Sequence, residues 1–362
     1  MKKKNFVTAI GLSMVLGLGL LAGCGSASTT STDDTESVDT EISEQAETET
    51  ASEEELNTAA HLNVAIQPSF SYLPLYILRD TGWLEDALEE SGYGDIEITF
   101  TEFESGPPEN ESFAAGQQDV GVMGNVPTIS GIASGQERTI IGISSVGEKV
   151  RAIMVPTDSD ITSVDQLEGK TIGLVVGSIS QDFLNTALEE YGLSISDVEV
   201  INLNNSEQES ALVTNQVDAV VTWEPLVTQL EDSGAATVLI DGTGIYPGEN
   251  SIFGRTEYLQ ENPEIVLIFM QQYARAAKEL INNKESYAEE YADYFGLSVD
   301  SALVILENTE IPVVITEESV ANLQNTADFL YSAELTTAEV DVASYVDYSY
   351  SEDETVLSYL GE

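Results

Sequence analysis

Residues 175–181, Val175-Val176-Gly177-Ser178-Ile179-Ser180-Gln181, run from an apolar segment through a glycine into a helix-forming stretch. A strand, a tight turn and a helix start in that order leave backbone N–H groups unpaired at the positive end of a helix dipole, which attracts an anion. Ser178 and Ser180 add hydroxyl donors there and Gln181 a carboxamide, although either serine can also serve simply as the helix cap. Gly124-Asn125-Val126-Pro127 repeats the arrangement earlier in the chain, with Asn125 as cap or as ligand donor. Trp223 stands in a polar loop before Glu224-Pro225, where an indole stacks on a ligand or completes a core. Gln67-Pro68-Ser69-Phe70-Ser71-Tyr72 ends the first apolar run with amide, hydroxyl and aromatic groups. All of these groups are suited to holding a small molecule.

Bond-breaking chemistry finds few candidates. The one histidine, His61, stands at the start of the folded body, and the one cysteine, Cys24, close to the N-terminus. A Ser–His pair lacks its base in the body, and metal sites built on His or Cys are excluded. No glycine-rich phosphate loop ends in Lys-Ser or Lys-Thr. Carboxylates are plentiful, 64 Asp and Glu against 12 Lys and Arg, so a pair of them is expected on any solvated face and does not identify a general acid. We therefore expect no catalytic residue, no metal and no cofactor. The formal charge of −52 argues against nucleic acid, which needs a basic footprint, and against electrostatic adsorption on anionic lipid.

Cys24 has a different role. Lys2, Lys3 and Lys4 precede an apolar run over residues 6–21, and Leu21-Ala22-Gly23 places small residues just before the cysteine. That is the layout of a secretory signal, too short to span a bilayer comfortably. The ending resembles a bacterial lipobox, which implies cleavage before Cys24 and a lipid on its thiol. Residues 25–58 are rich in Ser, Thr, Asp, Glu and Ala. Such a composition fills no core and is expected to form a disordered tether, reaching about 30 Å.

The body alternates strand and helix patterns. Residues 62–66, 96–103, 120–123 and 139–143 suit strands, separated by helices opening at Pro74, Gly106-Pro107-Pro108 and Pro127 and closing at Gly82, Gly116 and Gly135. The alternation resumes with strands at 171–176, 198–203, 219–222 and 237–240 and helices at 181–191, 206–215 and from Pro225. Beyond Asn262 the chain is largely helical, with Phe269, Tyr273, Ala276, Ala277 and Leu280 on one face. The pattern predicts mostly parallel sheets covered by helices. One unit occurs twice: Gln118-Asp119-Val120-Gly121-Val122 before Gly124-Asn125-Val126-Pro127, and Gln216-Val217-Asp218-Ala219-Val220-Val221 before Trp223-Glu224-Pro225. Either two lobes of like construction put these loops at the C-terminal strand ends, where open α/β sheets bind ligands, or any two strand–helix units look this similar.

Several of these segments together resemble the aliphatic-sulfonate, taurine and nitrate binding proteins (SsuA/TauA type) that serve ABC importers. They are Glu104-Ser105-Gly106-Pro107-Pro108, Phe113-Ala114-Ala115-Gly116-Gln117-Gln118-Asp119-Val120-Gly121 and Met123-Gly124-Asn125-Val126-Pro127 in the first half. In the second half they are Asp165-Gln166-Leu167-Glu168-Gly169-Lys170, Gly177-Ser178-Ile179-Ser180, Val217-Asp218-Ala219 and Trp223-Glu224-Pro225. The resemblance implies a type II periplasmic-binding-protein fold: two α/β lobes joined by two crossovers, near 146–151 and 242–250, with a cleft between them. It implies lobe 1 over 59–148 plus 250–362 and lobe 2 over 149–249, following the signal over 1–23 and the lipidated tether over 24–58. The ligand contacts it implies are Gln67, Ser69, Tyr72, Gly106, Pro107, Gly124, Asn125, Ser178, Ser180, Gln181, Trp223 and Glu224. Asn125 stands where sulfonate binders often carry Asp. The expected protein is a monomer anchored by lipid at the outer face of the cell membrane. It would pass a small organic anion, held by helix N-termini and side-chain donors without salt bridges, to a permease and an ATPase carried on other chains. The alternatives are a thiamine-precursor pyrimidine or other aromatic between Trp223 and Tyr72, an enzyme, and a surface sensor on the same fold.

Overall fold

A computed structural model describes residues 61–361. Cys24, the signal and the tether lie outside the described residues. Ten strands are present among the described residues: β1 (His61–Ile66), β2 (Glu97–Glu102), β3 (Val120–Gly124), β4 (Arg138–Ser145), β5 (Arg151–Pro156), β6 (Thr171–Leu174), β7 (Glu199–Asn202), β8 (Ala219–Trp223), β9 (Ala236–Asp241) and β10 (Asn250–Arg255). They form two five-stranded sheets, ordered β2-β1-β3-β10-β4 and β7-β6-β8-β5-β9.

Burial of both faces explains the continuous apolar character of β1. Leu62, Val64 and Ile66 join one core with Ile265, Val266, Phe269, Met270, Tyr273, Ala277 and Leu280 of the long helix Pro263–Asn282. Ala65 points to the opposite core, where Met123, Ile140, Ile143 and Phe253 meet Ile129 and Ile132 of the helix Asn125–Ala133 and Leu323, Ala327 and Leu330 of the helix Glu317–Ser332. The second sheet is sandwiched likewise. Ile153, Ile172 and Val221 face Phe183, Leu184 and Leu188, and Ala152, Met154 and Val220 face Ala211, Leu212 and Leu230. The chain's last helix, Glu354–Leu360, returns to pack on Pro263–Asn282 and buries Val356 there.

The repeated unit is a real structural echo. Asp119 Oδ2 accepts from the backbone N–H of Asn63 at 2.8 Å, and Asp218 Oδ2 accepts from that of Thr171 at 2.8 Å. Each aspartate therefore pins the strand it precedes, β3 or β8, to the neighbouring strand, β1 or β6. The two sheet orders then correspond strand for strand.

The sheets are mixed rather than mostly parallel. β1 runs parallel to β2 and β3, and β6 to β7 and β8. The two strands missing from the sequence pattern, β5 and β10, are antiparallel to both of their neighbours. Each follows directly on a passage between sheets, from Ser145 to Arg151 and from Asp241 to Asn250. A strand entering its sheet from the far lobe arrives with the reverse direction, so no helix precedes it and the strand–helix alternation does not reveal it. The helix read as opening at Pro127 begins earlier, at Asn125.

Candidate ligand-binding cleft

Parallel strands that end in loops before helices deliver their C-terminal ends to one place. Gln67, Ser69, Ser71 and Tyr72 come from the loop after β1, and Gly106 opens the helix Gly106–Ala114. Gly124 and Pro127 come from the end of β3, Ser178 and Ile179 from the start of the helix Ile179–Glu190, and Trp223 from the end of β8. With Val150, Arg151 and Asn250 they line one cavity of about 30 Å³ between the two sheets, space for about two waters. Three helix N-termini open on it. Gly106 permits the close approach on one side, since a Cβ there would lie 2.4 Å from Pro127 Cγ.

The antiparallel strands bring two residues that the sequence pattern left out of the ligand contacts. Arg151 pairs with Trp223 in the β5–β8 ladder, and Asn250 pairs with Gly124 in the β10–β3 ladder. Each crossover thus ends with its first strand residue at the cleft edge. Arg151 is only 2 % exposed. Its Nη1 donates to Gly147 O at 3.1 Å and its Nη2 to Gly248 O at 3.2 Å, one carbonyl from each crossover. The guanidinium lies 5.3 Å from the Tyr246 ring centroid, and Nε has no partner. Among the described residues Arg151 makes no ion pair. Burial pushes its pKa down, against the pull of Tyr246, Tyr72 and Asp182. The cleft wall therefore does hold a cation, contrary to an arrangement of uncharged donors alone. The available signal was its place, one of the nine cations after Cys24 and the first residue of the apolar run Arg151-Ala152-Ile153-Met154-Val155.

The structure brings Gln67, Ser69, Tyr72, Gly106, Gly124, Ser178 and Trp223 to this cavity. The other expected contacts do not line it. Ser178 also caps its helix, accepting from Ser180 N at 3.2 Å, and Ser180 Oγ is buried without a partner. Gln181 Oε1 accepts from Gly177 N at 2.9 Å. Pro107 packs toward Gly177. Glu224 turns to Thr228, accepting from its N–H at 3.1 Å and its hydroxyl at 2.9 Å, while the Glu224 carbonyl accepts from Ser69 Oγ at 3.2 Å.

Asn125 faces a neighbouring cavity of about 230 Å³ together with Asp182, Tyr246 and Thr326. Its Nδ2 donates to Thr326 Oγ1 at 2.5 Å and to Tyr246 OH at 3.0 Å. Asp182 Oδ2 accepts from Tyr246 OH at 2.7 Å and Thr326 Oγ1 at 3.2 Å. This network ties both sheets' helices and the second crossover together.

Burial lifts the carboxyl groups around the cleft: Asp182 to about 6 and Glu224 to about 7, each despite hydrogen bonds that lower it. A raised acid binds more protons in the folded than in the unfolded state between the two pKa values, so stability falls as pH rises through that window. The thermal midpoint is expected to drop from pH 5 to pH 8. Asp182→Asn should flatten the part of the slope between pH 4 and 6, and an unchanged slope in that variant would place the effect elsewhere. Among the described residues no group of three or more His, Cys, Asp or Glu could hold a metal, and no helix is long and apolar enough to cross a membrane.

The profile of the NMT1/THI5-like family matches residues 69–286. The chain belongs to the NMT1/THI5-like family. Among its relatives is a Bacillus subtilis (strain 168) protein named for binding aliphatic sulfonates, 35 % identical over 293 residues, which are 80 % of this chain and 86 % of the relative. A second, from Escherichia coli (strain K12), carries the same name and is 26 % identical over 70 % of this chain and 81 % of its own length. The alkanesulfonate-binding protein SsuA from Xanthomonas axonopodis pv. citri, solved bound to MOPS, superposes with a TM-score of 0.72 at 25 % identity, over 80 % of this chain and 98 % of that one. These relatives are binding proteins by name, and the fold is the type II periplasmic-binding-protein fold. In this member of the family the first crossover leaves β4 after Ser145 and the second returns at Asn250.

Proposed function

We propose that the chain is a lipid-anchored, extracytoplasmic binding protein that collects a small organic sulfonate, taurine or a nitrate-like anion and delivers it to an ABC importer. The observation that carries this is Arg151, a buried cation without a carboxylate partner in the wall of a cleft lined by Gln67, Ser69, Ser71 and Ser178. A buried charge of this kind costs several kcal/mol unless it is compensated, and an anionic ligand supplies the compensation. The names of the relatives point to the same ligand class. The net negative charge does not oppose it, because fields beyond about 8 Å are screened at physiological salt. In this proposal the lobes span 59–148 plus 250–362 and 149–249, the mature chain is a monomer beginning at a lipidated Cys24, and the permease and ATPase are separate chains. Calorimetry with ethanesulfonate, taurine, nitrate and sulfate tests the ligand class, and failure of all four to bind would remove it. The mass of the mature N-terminal peptide tests the anchor.

A second proposal rests on Trp223 and Tyr72 lining the same cavity, two rings that could grip a pyrimidine or another aromatic. Tryptophan fluorescence separates the two. We expect quenching on ethanesulfonate binding that is lost in Trp223→Phe, with affinity reduced less than tenfold. Quenching by pyrimidines alone, with a far greater loss of affinity in that variant, would favour the aromatic ligand.

A further inference from the structure

Glu109 is buried completely, on the helix Gly106–Ala114 directly behind the cleft. Its Oε2 accepts from Gln67 Nε2 at 2.6 Å, and its Oε1 has no partner. Room for it is made by Gly121 of β3, where a Cβ would stand 2.9 Å from Oε1. Gln67 itself lines the cleft. A carboxamide has a donor end and an acceptor end. An ionised Glu109 takes one of the two Nε2 N–H groups and turns the nitrogen toward the helix behind the cleft, leaving Oε1 and the second N–H for other partners. An oxygen in that position suits a ligand N–H or O–H and opposes a sulfonate oxygen. A protonated Glu109 reverses this: its O–H donates to Gln67 Oε1 and the amide N–H turns to the cleft.

We propose that Glu109 is a positioning residue whose proton sets which end of the Gln67 carboxamide faces the ligand, so that an anion is bound together with one proton from solvent. The proposal rests on the cleft being an anion site. The charged and titratable groups around Glu109 are Arg138 of β4, which favours the carboxylate, and Tyr72, whose own ionisation the Glu109 charge opposes. Burial outweighs the pull of Arg138 and of the Gln67 bond and lifts the carboxyl to about 8. Both states are therefore accessible near neutrality. An ionised Glu109 also puts negative charge behind the ligand, so electrostatics and hydrogen-bond polarity favour the same proton uptake. Asp182 and Glu224, raised less, titrate at lower pH.

The test is calorimetry of ethanesulfonate binding, between pH 6 and 10, in buffers of different ionisation enthalpy. Wild type is expected to take up about half a proton per ligand at pH 8, rising toward one proton above about pH 9. Its affinity should be level below about pH 7 and fall toward tenfold per pH unit above about 8. Glu109→Gln, whose amide can pair with either end of Gln67, should bind with no proton uptake and a flat profile over that range. Binding without uptake in wild type, or the same uptake in Glu109→Gln, would overturn the proposal. Failure of wild type to bind ethanesulfonate at any pH would instead sink the anion reading. The ligand-free wild type still decides the switch: the Gln67 side-chain N–H resonances should shift with a midpoint near 8, and their constancy from pH 6 to 10 would refute it.

Discussion

Arg151→Met should lose ethanesulfonate binding by about two orders of magnitude or more while the ligand-free protein keeps, or slightly raises, its thermal midpoint. Removing one partner of a desolvated charge pair typically costs about 2–5 kcal/mol of binding. In the ligand-free cleft the same guanidinium is a buried cation with Nε unpartnered and two carbonyls as its only hydrogen-bond partners, so an apolar isostere relieves desolvation. A function-for-stability exchange of this sort marks a ligand group rather than a structural one. Arg151→Lys should fall between, because a point charge replaces a fork that reaches both crossovers. A melting point many degrees lower with affinity intact would show that Arg151 serves the fold and not the ligand.

Gly248→Ala is expected to destabilise the protein on the order of 3 kcal/mol and to abolish binding with it. Gly248 has φ +65°, and an added Cβ would stand 1.2 Å from Arg151 Nη1 and 2.2 Å from Cζ. The methyl fits only if the guanidinium leaves the carbonyls of Gly147 and Gly248 that hold it. A thermal midpoint lowered by about 6 °C or more is the readout, beside calorimetry. Wild-type melting and binding in this variant would mean that the second crossover does not seat the arginine.

Both effects hinge on contacts that a linear reading does not display. Gln67, Gly106, Gly124, Ser178 and Trp223 were legible because strand, turn and helix start are local patterns, and parallel strands gather such junctions at one edge. Arg151 and Asn250 reach that edge by another route, as first residues of strands that return from the opposite lobe. Their runs, Arg151–Pro156 and Asn250–Arg255, are six residues each, and Ser251 and Gly254 interrupt the apolar signal of the second. For Asn125 the position was legible and the partners were not. Its side chain is engaged by Thr326, 201 residues away, and by Tyr246, 121 residues away. Ser180 and Gln181 fell on the right helix start, but Ser180 is buried and Gln181 is held by the backbone of Gly177. One turn of a helix offers several polar side chains, and only packing decides which of them meets the cleft.

The arginine's two carbonyl partners lie on the only two chain passages between the sheets among the described residues. Points on the line through those passages are displaced least when the lobes swing apart. If the lobes swing about those passages, the positive charge would stay almost stationary, whereas Ser69 and Glu224, which touch across the cleft, would travel with their lobes. A bound anion would keep its counter-charge as the protein opens and lose its surrounding donors first. Release would then be governed by how many of those donors withdraw, which makes the lobe angle, and whatever pries the lobes apart, the control on unloading.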